Sequence, residues 1–92
     1  MSGMTHTAVA NGTASVLALA ANSGRKWALF QNDSDVVMYL NLGSAAVANT
    51  GIRLAVGASY EIAPYLNNLT QVAIYSIASS SAKNLLVTEN SQ

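Results

Sequence analysis

The segment from Arg25 to Leu42, RKWALFQNDSDVVMYLNL, constrains this chain more than any other. It reads as two strands joined by the polar break Asn32-Asp33-Ser34-Asp35, and it holds the only Trp and the only Phe. Side chains alternate across a strand, so Trp27 and Leu29 share one face while Ala28 and Phe30 share the other. In the second strand Val36, Met38, Leu40 and Leu42 oppose Val37 and Tyr39. A half-exposed strand alternates apolar with polar residues, and these two are apolar on both faces. Either a loop or arm of the same chain covers the outer face, or another subunit does. Core packing is the plainer reading of Trp27 and Tyr39, because aromatics dominate cores and interfaces alike. The sharper reading makes them contact residues.

Composition favours contact. A chain of 92 residues is one small domain, and such a domain buries only about 60–65% of its unfolded surface. Small domains are commonly reinforced by disulfides, a metal or oligomerisation. The sequence has no cysteine and one histidine, His6, so neither a disulfide nor an imidazole metal site is expected. Charged residues make up 9% of the chain, against roughly 25% in an ordinary soluble protein. Arg25, Lys26, Arg53 and Lys83 balance Asp33, Asp35, Glu61 and Glu89. A neutral, charge-poor monomer is prone to association, so a homo-oligomer is expected. Nucleic-acid binding needs clustered Lys and Arg, which this sequence lacks. No apolar run approaches the ~20 residues of a membrane span. Val16–Ala21 is too short, and lacks the basic start, for a signal peptide.

Turn chemistry divides the rest. Residues 1–12 are small, polar and without period, which suggests an N-terminal arm or disordered tail ahead of a β-sandwich domain over 13–92. Ser15–Ala20 reads as a strand ending at the turn Asn22-Ser23-Gly24. A small-residue loop, Gly43–Gly51, follows the central pair. Ile52–Val56 and Tyr60–Ile62 alternate cleanly around Gly57. If they pair directly, a three-residue loop aligns Leu54 with Ile62 and sets Arg53 diagonal to Glu61. Pro64 ends that strand, Leu69–Ala78 is a further strand, and Asn84–Glu89 closes the chain with Leu85 and Val87 inward. Lys83 and Glu89 are expected at the two ends of that last strand. The sum is about seven strands at ~8–12-residue spacing, a small antiparallel β-sandwich or jelly-roll-like barrel.

Chemistry finds no foothold in these residues. Nucleophilic catalysis requires a base beside the nucleophile, and the only histidine lies in the first twelve residues. Asp33 and Asp35 flank Ser34 but lack the further ligands of a calcium loop. No glycine pattern follows a strand and opens a helix as phosphate binding requires. Neither an enzyme nor a cofactor is expected. Sugar recognition stacks rings on exposed aromatics; periodicity turns Tyr60 inward and leaves Tyr65, beside Pro64 and Asn67-Asn68, as the accessible tyrosine.

From Arg25 to Glu89 the order of signals resembles the small β-sandwich virion proteins of tailed bacteriophages, head decoration (cement) proteins in particular. The resemblance rests on the Arg25 strand ending in Asn32-Asp33-Ser34, then Met38-Tyr39-Leu40-Asn41-Leu42-Gly43, then Gly51-Ile52-Arg53-Leu54 with Gly57 and Tyr60-Glu61. Ala73-Ile74-Tyr75-Ser76-Ile77-Ala78 and Leu86-Val87-Thr88-Glu89 complete it. It implies no catalytic residue. It implies a trimer on the capsid surface that bridges subunits of the major capsid protein, made in the host cytoplasm, with no nucleic acid or membrane bound. Trp27, Val37, Tyr39 and Tyr65 are the candidate contact residues, and residues 1–12 an arm that orders on the shell or on a sister subunit. The alternative is a carbohydrate- or receptor-binding module of a tail or head fibre.

Overall fold

Gly, Asn and Ser cut the chain into short pieces, and the β-branched and aromatic runs between them are strands. The computed structural model describes residues 3–91. In chain order it has β1 (Gly3–Asn11), β2 (Val16–Leu19), β3 (Arg25–Asp33), β4 (Met38–Leu42), β5 (Ile52–Leu54) and β6 (Ser59–Ile62). A turn of 3-10 helix (Pro64–Leu66), β7 (Ile74–Ala78) and β8 (Lys83–Ser91) follow. The strands form two four-stranded sheets: sheet I in the order β1-β8-β3-β6 and sheet II in the order β2-β7-β4-β5. Every ladder is antiparallel. This order is that of a jelly roll, the double-sheet form of the all-β sandwich.

Between the sheets, Ala28, Phe30, Ile62, Leu85 and Val87 of sheet I meet Ala18, Met38, Leu40, Leu54, Ile74 and Ala78 of sheet II. Full burial of a side chain such as Phe30 contributes about 1.5–3 kcal/mol. Leu85 and Val87 point inward as their alternation implies, and Tyr60 packs on the core. The turn at 22–24 forms as its residues dictate: the Arg25 amide donates to the Asn22 carbonyl (3.1 Å), and the Gly24 amide to Asn22 Oδ1 (3.0 Å).

Several expectations are corrected. The described residues form eight strands, because residues 3–11 form β1 and pair with β8 from Gly3↔Ser91 to Asn11↔Lys83. Only positions 1 and 2 of the expected arm fall outside the described residues. β1 has no apolar period to reveal it, because most of it is exposed on both faces. The two halves of Arg25–Leu42 are not a hairpin: β3 belongs to sheet I and β4 to sheet II. Likewise β5 and β6 do not pair. Arg53 lies opposite Tyr39, and Glu61 opposite Leu29, so no Arg53–Glu61 pair forms. Residues 69–73 precede β7 rather than opening it. Glu89 is buried within β8 instead of capping it, while Lys83 does sit at the strand's start and reaches Asp35 at 2.6 Å. Trp27 and Tyr39 lie outside the core cluster, which takes their neighbours Ala28, Phe30, Met38 and Leu40.

Two buried polar side chains, one near each end of β3, fasten the connections that cross between sheets. Asn32 Nδ2 lies within 2.8–3.2 Å of the carbonyls of Val36, Leu54 and Ala55, and its Oδ1 accepts from Ser34 Oγ (2.6 Å). It therefore ties the β3–β4 crossing to the β5–β6 crossing. At the other end the Arg25 guanidinium donates to Glu89 Oε2 (2.8 Å) and to the carbonyls of Thr70, Val72 and Ala20. A fully buried guanidinium is tolerated because these partners replace its water. Removing one partner of such a buried pair costs about 3–5 kcal/mol.

Candidate functional site

The apolar outer faces of β3 and β4 have different fates. On sheet II, Asn41, Tyr39, Tyr75, Ile77 and Arg53 point outward, as their pairing with one another and their alternation with buried residues show. The loop 43–51 lies over this face. Asn41 Nδ2 donates to Ser44 Oγ (2.8 Å) and to the Ala45 carbonyl (3.0 Å). Tyr39 Oη donates to Asn49 Oδ1 (2.9 Å), and the Ala46 amide reaches across to Ser15 Oγ (2.8 Å). Ile77 is thereby only 8% exposed, although it points away from the core. Gly51 closes the loop with φ +80, and a Cβ there would sit 2.3 Å from the Leu40 carbonyl oxygen.

Sheet I keeps its outer face open. Register places Met4, His6 and Ala8 of β1 beside Asn90, Thr88 and Leu86 of β8, and these beside Trp27, Leu29 and Gln31 of β3. All of these side chains are half-buried or exposed. His6, Ala8, Gln31, Leu86 and Thr88 line a shallow trough over β8, with His6 Nδ1 3.1 Å from Thr88 Oγ1. The centre of this face is uncharged; its carboxylates, Asp33 and Glu61, stand at a strand end and on the edge strand β6.

At that β6 edge the structure brings two of the four candidate contact residues together. Glu61 Oε2 accepts from the Trp27 indole (2.5 Å) and from the Tyr65 hydroxyl. The Tyr65 and Trp27 hydrogen bonds hold the Glu61 carboxyl below its ordinary value, and the Tyr65 phenol is raised by the bond to Glu61. Tyr65 itself is 73% exposed, as its setting beside Pro64 implies. Tyr39 is elsewhere, beneath the loop on sheet II, and Val37 is half-buried just ahead of β4. The four residues do not make one surface. Sequence reasoning missed Glu61 as the residue joining Trp27 to Tyr65; its place opposite Leu29, on the same face as Trp27, follows from a β3–β6 pairing that local pattern does not show.

Among the described residues, no group of three or more His, Asp or Glu could hold a metal ion, and no helix is long and apolar enough to cross a membrane. The chain matches no known protein family, and no curated protein matches it. It is similar in fold to a solved structure of Bacillus endospore appendages, which "form a novel family of disulfide-linked pili". That likeness has a TM-score of 0.58 at 12% identity and covers 100% of this chain and 87% of the other. The disulfide linkage of those pili has no counterpart here, since this chain has no cysteine.

Proposed function

We propose that this chain is a structural subunit of a multi-copy assembly, specifically a head decoration (cement) protein of a tailed bacteriophage. In this reading it sits on the capsid surface as a homo-oligomer, a trimer, and stabilises the shell by bridging subunits of the major capsid protein. It uses no cofactor and binds neither nucleic acid nor membrane. The observation that carries the reading is the open outer face of sheet I. There Trp27, Leu29, Leu86 and Met4 lie on a face whose carboxylates, Asp33 and Glu61, stand only at its margin, on a chain with only 9% charged residues. Bridging works through effective concentration: each contact is modest, and simultaneous engagement multiplies it. The fold likeness to a pilus protein is in keeping with use of this sandwich as a building block.

Purified protein mixed with isolated capsids tests the proposal. Saturable binding at a fixed ratio to the capsid subunit, abolished by Leu29→Lys with Leu86→Lys, is the expected outcome. Absence of binding to every capsid of the source phage ends it. The 73% exposure of Tyr65, beside an ionised Glu61, favours a second reading as a carbohydrate- or receptor-binding module of a tail or fibre. A glycan-array signal lost in Tyr65→Ala supports that reading instead.

A further inference from the structure

β1 is attached to its own domain in an uneven way. Its last residue is anchored: Asn11 is buried, its Oδ1 accepts from Ser76 Oγ (2.6 Å), and the neighbouring Gly12 carbonyl accepts from the Ala78 amide (2.8 Å). Ahead of that anchor the strand is held almost wholly by its ladder to β8. Gly3 to Ala8 are exposed on both faces, Thr5 and Thr7 included, although those two point to the side where sheet II would lie. Val9 is the one residue of this stretch that packs on the core.

The free edge of β1 also lacks the usual protections. Natural edge strands are kept short, bulged, or marked with charge or proline. The other three edges are short: β2 and β6 have four residues and β5 has three. β1 has nine residues, GMTHTAVAN, with no Lys, Arg, Asp, Glu or Pro, and its pairing with β8 runs without a register break.

We propose that β1 is an exchangeable strand. In the assembled protein, residues 3–10 pivot at Asn11-Gly12 and pair with β8 of a second copy of this chain. They keep there the register seen within one chain, Gly3 opposite Ser91 and Val9 opposite Leu85. This rests on the reading of the chain as an assembling subunit and names the contact that joins its copies. Exchange regains every hydrogen bond it breaks, because the incoming strand is identical to the departing one. The equilibrium is then set by protein concentration and by strain in the Gly12–Ser15 connection, the two terms that ordinarily govern strand swapping. The acceptor is therefore known in detail: it is the β8 edge, between Lys83 and Ser91, that β1 occupies here.

Because the natural chain is free of cysteine, a cysteine pair reports the partner directly. His6 and Thr88 are opposite each other on the exposed face. The double variant His6→Cys with Thr88→Cys is oxidised in the assembled state and run on a non-reducing gel, while light scattering gives the assembly state separately. Chains joined covalently to one another in the assembly, and disulfides within one chain in dilute protein, are expected. A multimer whose disulfides all lie within single chains overturns strand exchange and leaves the subunit reading standing. So does a multimer in which either single variant cross-links as well as the double one, since that marks edges meeting without exchange. A monomer at every concentration, alone and with capsids, overturns both. Ala8→Cys with Leu86→Cys, the next outward pair along the ladder, serves if the first pair does not fold.

Discussion

The outer faces of the two sheets begin from the same sequence character and end differently. Sheet II is roofed by the chain's own loop 43–51, fastened through Asn41, Tyr39 and Ser15, and Ile77 beneath it is nearly as buried as the core. Sheet I carries Trp27, Leu29 and Leu86 half-buried on its outer face, and among the described residues no such fastening lies over them. An apolar outer face is thus not in itself a sign of a partner. A chain with small residues in a nine-residue loop can cover one face itself, and what it leaves uncovered is the more informative surface.

The largest effect should come from breaking the roof at its root. Gly51→Ala puts a Cβ against the Leu40 carbonyl oxygen at a φ of +80, and the left-handed conformation alone costs about 1–2 kcal/mol. A loss of about 3 kcal/mol in denaturant unfolding is expected once the clash is added. A loss below about 1 kcal/mol would mean that the loop is not seated as described. Loosening the roof is milder. Asn41→Ala should cost about 1–2 kcal/mol for its hydrogen bonds to Ser44 and Ala45. It should also speed hydrogen exchange at the Ala46 amide, leaving β8 amides unchanged.

The open face should respond in the opposite way. Leu29→Thr with Leu86→Thr, at two half-buried positions outside the core, is expected to cost about 1–2 kcal/mol, less than the loss at Gly51, and to reduce association at high concentration clearly. A large loss of stability without change in association would make this face part of the core. Smallest in energy is a titration at its rim. Because hydrogen bonds from Tyr65 and then Trp27 depress the Glu61 carboxyl, their contribution is complete above the ordinary glutamate value of 4.5. It is lost as pH falls through the lower folded value. Fluorescence of Trp27, the only Trp, should therefore change below pH 4.5 and not above it, and Glu61→Gln should abolish the change. A transition centred above 4.5 would show that the carboxylate is not held by its two aromatic donors.

Particular residues show how far the sequence could be read. Leu85 and Val87 read as inward and are in the core, whereas in β3 and β4 alternation set Phe30 apart from Trp27, and Met38 and Leu40 apart from Tyr39, without telling which side is the core. Tyr65 was legible from Pro64 and the asparagines that follow. Arg25 and Asn32 were legible only as a strand start and a turn residue. Their work depends on Glu89, Leu54 and Ala55, residues 64, 22 and 23 positions away, which no local window contains.

By itself the sequence determined that the chain makes strands, that the central strands are apolar on both faces, and that neither a disulfide nor a cysteine-ligated metal supports the fold. These follow from the two-residue period of a strand and from the presence or absence of side-chain types. Only the tertiary structure decided which strands pair, that β1 is a strand, and which apolar face stays open. In a jelly roll nearly every connection crosses from one sheet to the other, so hydrogen-bonded neighbours such as Gly3 and Ser91 lie at opposite ends of the chain. Backbone pairing carries no side-chain signature, and the choice among partners is made by the packing of all the strands together.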